Sequence, residues 1–366
     1  MIDLIYQKIL KPVFFCFDPE LIHKYSMLGF QYLKPIYPVL NLNYSHPDLK
    51  TKLANKPLAN PIGLASGFDK NALYLDGISA MGFAFEEIGS VTRYPSAGNP
   101  KPRLFRLIED DALINRMGLN NIGIESVRQR LIQHKNNFPY GINIAKTNNL
   151  AYPVDNEIED ILACFNYVKD LNCLYIAINL SCPNTKSGII QEGKLINDLL
   201  KEIYQANTNN LPIFLKLSPD SSADLVETFV DLGIRYKVQG YICGNTSLTR
   251  VDLKTKTTLL TSYGIGGLSG KPLKKLNINL VKTVFKLKLA DQEIIGCGGI
   301  FTGNDVFQYL IAGANVVQAY TGFIYQGPAF THKANLELFK ILNKYDLTVE
   351  KSIGILHDGF SFGDFP

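Results

Sequence analysis

Ile213–Leu217 (IFLKL), Ser221–Lys237 (SSADLVETFVDLGIRYK) and Gly240–Gly244 (GYICG) follow one another with almost nothing between them. The first and third are short apolar runs of strand length, and the middle segment carries a helical pattern. The order is therefore strand, helix, strand. Continuous apolar runs, rather than strict alternation, suit parallel strands buried on both faces.

The same alternation extends in both directions from this unit. Further strand-like runs are Ile62–Ala65, Phe85–Gly89, Tyr140–Ala145, Tyr175–Leu180, Glu293–Gly296 and Asn315–Ala319, which makes eight in all. Helical stretches such as Asn156–Leu171, Pro272–Leu289 and Thr302–Ala312 lie between them, and Ala334–Asn343 reads as a final helix. Eight strand–helix units predict an α/β protein of the (β/α)8 barrel type rather than an open doubly wound sheet. Long intervals follow the second and sixth strands, and these should hold active-site loops.

Length alone leaves two choices for the 366 residues. They fit two ordinary domains, or one barrel of about 250 residues with roughly a hundred to spare. The strand count selects the barrel. The expected division is an N-terminal helical extension (1–40), the barrel (41–345) and a C-terminal tail (346–366). The tail reads either as ordered packing or as a loose end.

Composition removes several function classes. With 46% hydrophobic and 19% charged residues the chain is a folded globule, not a disordered one. A net charge of +4, evenly spread, argues against a nucleic-acid partner but is compatible with weak attraction to an anionic membrane surface. Cys16, Cys164, Cys173, Cys182, Cys243 and Cys297 form no CxxC pair or dense framework, so reduced thiols in a cytosolic compartment are expected. The five histidines are isolated, and no metal site is expected. No run of eighteen apolar residues is present to span a membrane.

The N-terminus has neither a secretory signal nor an Arg- and Ser-rich transit peptide. Ile2, Ile5, Tyr6, Ile9 and Leu10 share one helical face. A second helix should start at Asp18-Pro19, an N-cap followed by Pro at the first helical position, and run through Leu33 to Pro35 and Pro38. The pair reads either as a helical hairpin packed on the core or as an amphipathic pair that lies on a membrane or frames an apolar tunnel.

Barrel enzymes work at the C-terminal ends of their strands. Those ends carry Ser66 to Lys70, Ser90, Asn143, Asn179 to Thr185, Lys216, Asn245-Thr246, Gly298-Gly299 and Tyr320-Thr321-Gly322, with Asn115 to Gly118 in a long loop. Lysines 70 and 216 lie in or just after apolar strands, where Lys is rarely buried without a partner. Asn115, Asn143, Asn179, Asn184 and Asn245 recur at the same rim. Asparagine both donates and accepts, so the set suits a planar ligand with alternating N–H and C=O groups, such as a pyrimidine or a flavin. The Gly-Gly pair after strand seven and the turn after strand eight occupy the recurrent phosphate site of such barrels. No GxGxxG follows the first strand, so a Rossmann dinucleotide site is not supported.

These motifs resemble dihydroorotate dehydrogenases of the quinone-dependent, membrane-associated class. The matching stretches are Gly63–Lys70 (GLASGFDK), Glu87–Thr92 (EIGSVT), Gly98–Leu107 (GNPKPRLFRL) and Ile114–Asn121 (INRMGLNN). They continue with Tyr175–Thr185 (YIAINLSCPNT), Lys216–Asp220 (KLSPD), Gly266–Leu273 (GGLSGKPL) and Gly296–Ile300 (GCGGI). The likeness runs from Phe17 to about Pro328, and Asp18-Pro19-Glu20 with His23 resembles the N-terminal extension of the quinone class.

The resemblance implies an FMN-dependent oxidoreductase of pyrimidine (UMP) biosynthesis that oxidises dihydroorotate to orotate and passes electrons to a quinone. It implies FMN contacts from Ala65, Ser66, Gly67, Ser90, Asn143, Asn179, Lys216, Gly244, Thr246, Ser269, Gly270, Gly298, Gly299, Tyr320 and Thr321. Dihydroorotate or orotate would be held by Lys70, Asn115, Arg116, Met117, Gly118, Leu119, Asn184, Asn245 and Thr246. The family's reaction removes a proton from C5 and a hydride from C6, with the base at the position of Cys182. His23 and Arg106 match polar residues at the inner end of the quinone tunnel. For each the bland alternative is structural, a satisfied interface histidine or an ion-paired arginine. The implied protein is a monomer, peripheral on the cytoplasmic face of a bacterial inner membrane.

The sequence departs from its class at several positions. Cys182 stands where the quinone-dependent enzymes carry Ser, and the Cys form occurs among the soluble classes. A thiol, with an ordinary pKa of about 8.5, is the easier base. Ser66 replaces Ala, Gly244 replaces Thr, Thr147 replaces Asn and Leu119 replaces Phe. Two alternatives stay open: a soluble enzyme using fumarate or NAD, favoured by Cys182 and disfavoured by the extension, and a non-catalytic FMN-binding barrel.

Overall fold

Eight parallel strands close on themselves in the order β10-β12-β13-β3-β4-β7-β8-β9. They are β3 (Ile62–Leu64), β4 (Phe85–Val91), β7 (Tyr140–Ile144), β8 (Ile176–Asn179), β9 (Ile213–Leu217), β10 (Gly240–Cys243), β12 (Glu293–Cys297) and β13 (Val316–Ala319). All eight sequence-derived runs are thus barrel strands, shifted at their ends by a residue or two. The computed structural model describes residues 2–32, 37, 42–135, 137–149, 151–152, 154, 156–180 and 193–359. The expected catalytic loop with Cys182 and Asn184 lies outside the described residues, as do Pro35 and Pro38.

Side chains alternate across each strand, which gives the barrel interior a vertical order. At the lower end the hairpin of β1 (Thr51–Leu53) and β2 (Lys56–Leu58) sets Leu53 and Leu58 against the barrel interior. Above them sit the rings of Phe85, Tyr175 and Phe214, all fully buried. Small residues on neighbouring strands make room for them: a Cβ at Gly63 would stand 2.3 Å from the Phe85 ring, and one at Gly141 would stand 2.4 Å from Tyr175. Two residues further along β4, β7, β9 and β13, the same face carries Glu87, Asn143, Lys216 and Gln318, all buried. Above this polar layer the barrel opens.

The outward faces of the strands pack under amphipathic helices. Glu157–Val168, Ala223–Arg235 and Gly303–Ile311 begin at Asn156, Ser222 and Thr302, whose side chains accept from backbone N–H groups of the first turn. Such caps are each worth about 1 kcal/mol. After the helix Phe330–Lys344 the described chain continues against the barrel, where His357 Nε2 lies 3.1 Å from the Ala312 carbonyl.

The long intervals after the second and sixth barrel strands hold more than loops. They supply β5 (Leu104–Leu107), β6 (Ala112–Asn115) and β11 (Gly267–Gly270), which form a three-stranded antiparallel sheet in the order β11-β6-β5. This sheet brings Leu104, Leu113, Asn115, Ser269 and Gly270 to the mouth of the barrel.

At the N-terminus, residues 2–15 are helical, with a π-helical turn at Tyr6–Leu10, and a second helix spans Pro19–Tyr32. Asp18 Oδ1 accepts from Leu21 N at 2.8 Å, the cap expected from Asp18-Pro19. The first segment docks on the barrel through Tyr6, whose hydroxyl donates to the Ile324 carbonyl at 2.5 Å, and through Gln7, which donates to the Tyr325 and Gln326 carbonyls at 3.1 Å. Its other side leaves Leu4, Ile9 and Val13 exposed.

Candidate active site

The open end of the barrel is a cavity. Most of the rim residues named from sequence line it. They are Ala65, Ser66, Gly67, Lys70, Ser90, Asn115, Met117, Gly118, Leu119, Asn179, Lys216, Asn245, Thr246, Ser269, Gly270, Gly298, Gly299, Tyr320 and Thr321. Three others are placed differently. Arg116 donates to the carbonyls of Tyr263 and Pro102 and stacks over the Phe105 ring, so its guanidinium ties the rim sheet together. Gly244 lies where β10 approaches the end of β12, and a Cβ there would stand 2.0 Å from the Cys297 carbonyl oxygen. Asn143 sits just below the cavity, fully buried.

Lys216 is the centre of charge in the polar layer. Its Nζ donates to Glu87 Oε1 at 2.8 Å and to Ser66 Oγ at 2.9 Å. Glu87 Oε1 also accepts from Asn143 Nδ2 at 2.8 Å. Its Oε2 accepts from Gln318 Nε2 at 2.8 Å and from the Tyr175 hydroxyl at 3.0 Å. Burial works against both charges, but their mutual attraction, with Cys297 near Lys216 and hydrogen bonds from Gln318 and Ser66 to Glu87, together outweighs it: Lys216 is held above its ordinary pKa and Glu87 below. Both therefore stay charged through the neutral range. The adjacent Glu86 projects from the opposite face of the strand, and its carboxyl oxygens have no hydrogen-bond partner among the described residues. Burial, with Asp69 nearby, raises its pKa well above the usual carboxylate value.

Glu87, Gln318 and Tyr175 are absent from the sequence-derived site. The signal that could have found them is two consecutive glutamates in a strand with no other charged residue, FEEIGSV, since Glu is seldom buried unpaired.

Higher in the cavity the asparagines link to one another. Asn179 Nδ2 donates to Ser90 Oγ at 3.0 Å, and Asn245 Nδ2 donates to Asn179 Oδ1 at 3.3 Å. Asn115 Nδ2 reaches the Gly267 carbonyl at 3.3 Å. Lys70 Nζ donates to the Gly67 carbonyl at 2.6 Å. Burial pulls the pKa of Lys70 down to about 8, with Arg103 acting in the same sense against Glu20 and Asp69.

Two observations test the cavity for a flavin phosphate and ring. First, Asn143 Oδ1 is buried and has no hydrogen-bond partner among the described residues, although Nδ2 of the same side chain is paired. An orphaned acceptor at the cavity floor fits a ligand carrying ring N–H groups. Second, Gly298 and Gly299 have φ of 101° and 71°, and a Cβ at Gly299 would stand 2.7 Å from the Lys274 backbone. Only glycine permits this backbone, which leaves a smooth cradle beside Thr321 and Gly322 for an anion.

A second cavity opens between the N-terminal helices and the barrel. It is lined mainly by apolar side chains such as Phe14, Phe15, Ile22, Met27, Phe68 and Phe323, with His23 and Arg106 among them. The His23 ring meets Phe68 edge-on at 4.6 Å. Burial, and then the Lys70 charge, lower its pKa to about 4, so it is uncharged near neutrality. Arg106 donates to the Phe17 carbonyl at 2.7 Å and lies 4.7 Å over the Phe15 ring. It thereby pins the turn between the two helices to β5. Leu104, Leu113 and Tyr320 line both cavities.

The closed parallel barrel, with the Gly298-Gly299 turn, buried Lys216 and an asparagine-rich mouth at the C-terminal ends of its strands, has the site layout of a barrel oxidoreductase. Residues 48–342 match the family model for dihydroorotate dehydrogenase, and the chain belongs to that family. Proteins named dihydroorotate dehydrogenase (quinone) are similar to it over most of their length. The one from Nostoc punctiforme is 35% identical, covering 86% of this chain and 88% of its own. The one from Christiangramia forsetii is 36% identical, covering 92% of this chain and 99% of its own. The solved dihydroorotate dehydrogenase of Eimeria tenella in complex with ferulenol superposes with a TM-score of 0.81 at 31% identity, covering 93% of this chain and 96% of that one.

Proposed function

We propose that this enzyme oxidises dihydroorotate to orotate in pyrimidine synthesis, holding FMN in the rim cavity and passing the electrons to a quinone in the apolar cavity. The observation that carries the reading is the shared wall. Leu104, Leu113 and Tyr320 face both cavities, so a molecule in the apolar one stands a side chain's thickness from the polar one. FMN, when bound, supplies a hydride acceptor toward dihydroorotate and an electron donor toward quinone.

The chain's own residues provide the rest. Gly298, Gly299 and Thr321 would hold the phosphate, and Asn143, Ser90 and Asn179 the polar edge of the ring. Lys216, fixed by Glu87 and Ser66, places a permanent positive charge beneath the cavity. A fixed cation in a water-poor site stabilises developing negative charge without reorganising. Lys70 supplies a cation for the dihydroorotate carboxylate, and Asn115, Asn184 and Asn245 match the alternating donors and acceptors of its ring. Cys182 takes the C5 proton as the hydride leaves C6, which completes the oxidation.

The N-terminal helices and the turn between them carry exposed Leu4, Ile9, Val13, Phe17 and Leu21. No helix among the described residues is long and apolar enough to cross a membrane. These side chains suit a segment that lies on the bilayer surface and admits a lipid-soluble acceptor. The enzyme is read as a monomer attached peripherally to the cytoplasmic face of a bacterial inner membrane.

The test is acceptor choice. Dihydroorotate-reduced enzyme should be reoxidised by a ubiquinone analogue and not by fumarate or NAD. Rapid reoxidation by fumarate with none by quinone would overturn the quinone assignment and favour the soluble alternative that Cys182 suggested.

A further inference from the structure

The N-terminal helices are joined to the polar cavity by a second route, separate from the quinone wall. Glu20, in the first turn of the helix Pro19–Tyr32, receives the guanidinium of Arg103 in a two-pronged contact. Nη2 lies 2.6 Å from Oε1, and Nε lies 3.1 Å from Oε2. The remaining arm of Arg103 donates through Nη1 to the Ala97 carbonyl at 2.6 Å and the Asn99 carbonyl at 2.9 Å. Arg103 is 7% exposed and Glu20 is partly buried, and the two-pronged contact is strongly directional.

Asn99 carries the connection onward. Its backbone N–H donates to the Met117 carbonyl at 3.0 Å, and its Nδ2 to the Arg116 carbonyl at 2.9 Å. Arg116 N in turn donates to the Arg103 carbonyl at 2.9 Å. Met117, Gly118 and Leu119 line the polar cavity. Gly118 takes a φ of 72° freely, but Leu119 sits at a left-handed φ of 56°, a backbone that a leucine holds only with support from its surroundings. His23, one turn along the helix from Glu20, lines the apolar cavity. One helix therefore bears on both cavities, through His23 on one side and Glu20 on the other.

We propose that Glu20 and Arg103 are positioning residues that hold the dihydroorotate end of the cavity in shape and couple it to occupancy of the quinone cavity. This rests on the reading above that the Met117 to Leu119 segment contacts dihydroorotate. The coupling is a binding free energy shared by two sites, so it is reciprocal. Lys101, 3.5 Å from Glu20 Oε1 and largely exposed, adds only a solvent-screened ion pair to the same carboxylate.

The experiment uses the full-length, flavin-loaded enzyme and titrates orotate calorimetrically, with and without decylubiquinone. Wild type should bind orotate with a Kd that shifts when the quinone analogue is present. Glu20→Gln should weaken orotate binding at least about fivefold and abolish the shift. The limiting rate of flavin bleaching at saturating dihydroorotate should change less than about twofold, a split between affinity and rate that general damage would not give. Arg103→Lys, which keeps the charge and loses the fork, should behave like Glu20→Gln and serves if that variant misfolds. Lys101→Met should match wild type. Wild-type orotate affinity in both Glu20→Gln and Arg103→Lys overturns the strut while leaving the function intact. Wild-type enzyme that binds no orotate and is not bleached by dihydroorotate overturns the function and the strut together.

Discussion

Glu87→Gln removes one charge from the barrel interior and keeps its shape. In the native protein Glu87 and Lys216 face each other at 2.8 Å with side chains 0% and 4% exposed. Taking away one member of a buried pair leaves the other charge uncompensated, which costs about 3–5 kcal/mol. The amide also turns a donor toward Gln318 Nε2, which now donates to Glu87 Oε2. With an unfolding entropy of about 2 cal/mol/K per residue, that loss on a chain of 366 residues lowers Tm by about 4–7 °C. Differential scanning calorimetry of the flavin-free protein reads it. The companion is Glu87→Gln combined with Lys216→Met, which removes both charges. It should recover much of the loss, because the penalty lies in the orphaned ammonium. The pair's pH signature is separate. Raised Lys216 contributes stability that is full below its unfolded pKa near 10.5 and is lost as pH rises past the folded value. Lowered Glu87 contributes above its unfolded pKa near 4.5 and is lost as pH falls past the folded value. The pair therefore adds no slope in the neutral range. A single variant as stable as wild type, or a double variant that loses the sum of the two single effects, would refute the reasoning.

Other outcomes follow from the two cavities. Lys70, at about 8 in the free enzyme, must be protonated to pair with a carboxylate, so the Kd for orotate should rise about tenfold per pH unit above pH 8; a flat profile from pH 7 to 10 would contradict this. His23→Ala and Arg106→Met should slow reoxidation by a quinone analogue about tenfold or more while leaving bleaching by dihydroorotate within about twofold; equal losses in both half-reactions would count against a separate quinone site. Cys182→Ala should abolish bleaching by dihydroorotate, and the wild-type rate should follow the titration of a thiol; unimpaired bleaching in Cys182→Ala would remove the residue from the mechanism.

The barrel was legible because its strands are continuous apolar runs, and Lys216 and the asparagines stood out against them. The rim sheet was not. LFRL, ALIN and GLSG are too short and mixed to show a period, and β6 pairs with β11 across about 150 residues of chain. Most residues that the family resemblance named line the rim cavity, whereas the Arg116 side chain reaches the Tyr263 and Pro102 carbonyls. Proximity in sequence to Met117 and Gly118 does not decide which way a side chain points. Glu87 was read as part of a motif, not as the anion under Lys216, because the pairing joins strands that only barrel closure brings together. Glu20 and Arg103 are 83 residues apart, and nothing local to either announces the other.

The central claim is that the rim cavity holds a flavin which dihydroorotate reduces. The direct measurement is the absorbance of the purified yellow protein under anaerobic conditions as dihydroorotate is added. The account predicts loss of the oxidised-flavin band at one equivalent of dihydroorotate, with one equivalent of orotate formed and the band restored by a quinone analogue. A yellow protein whose spectrum dihydroorotate leaves unreduced would contradict it and leave a flavin-binding barrel without this chemistry.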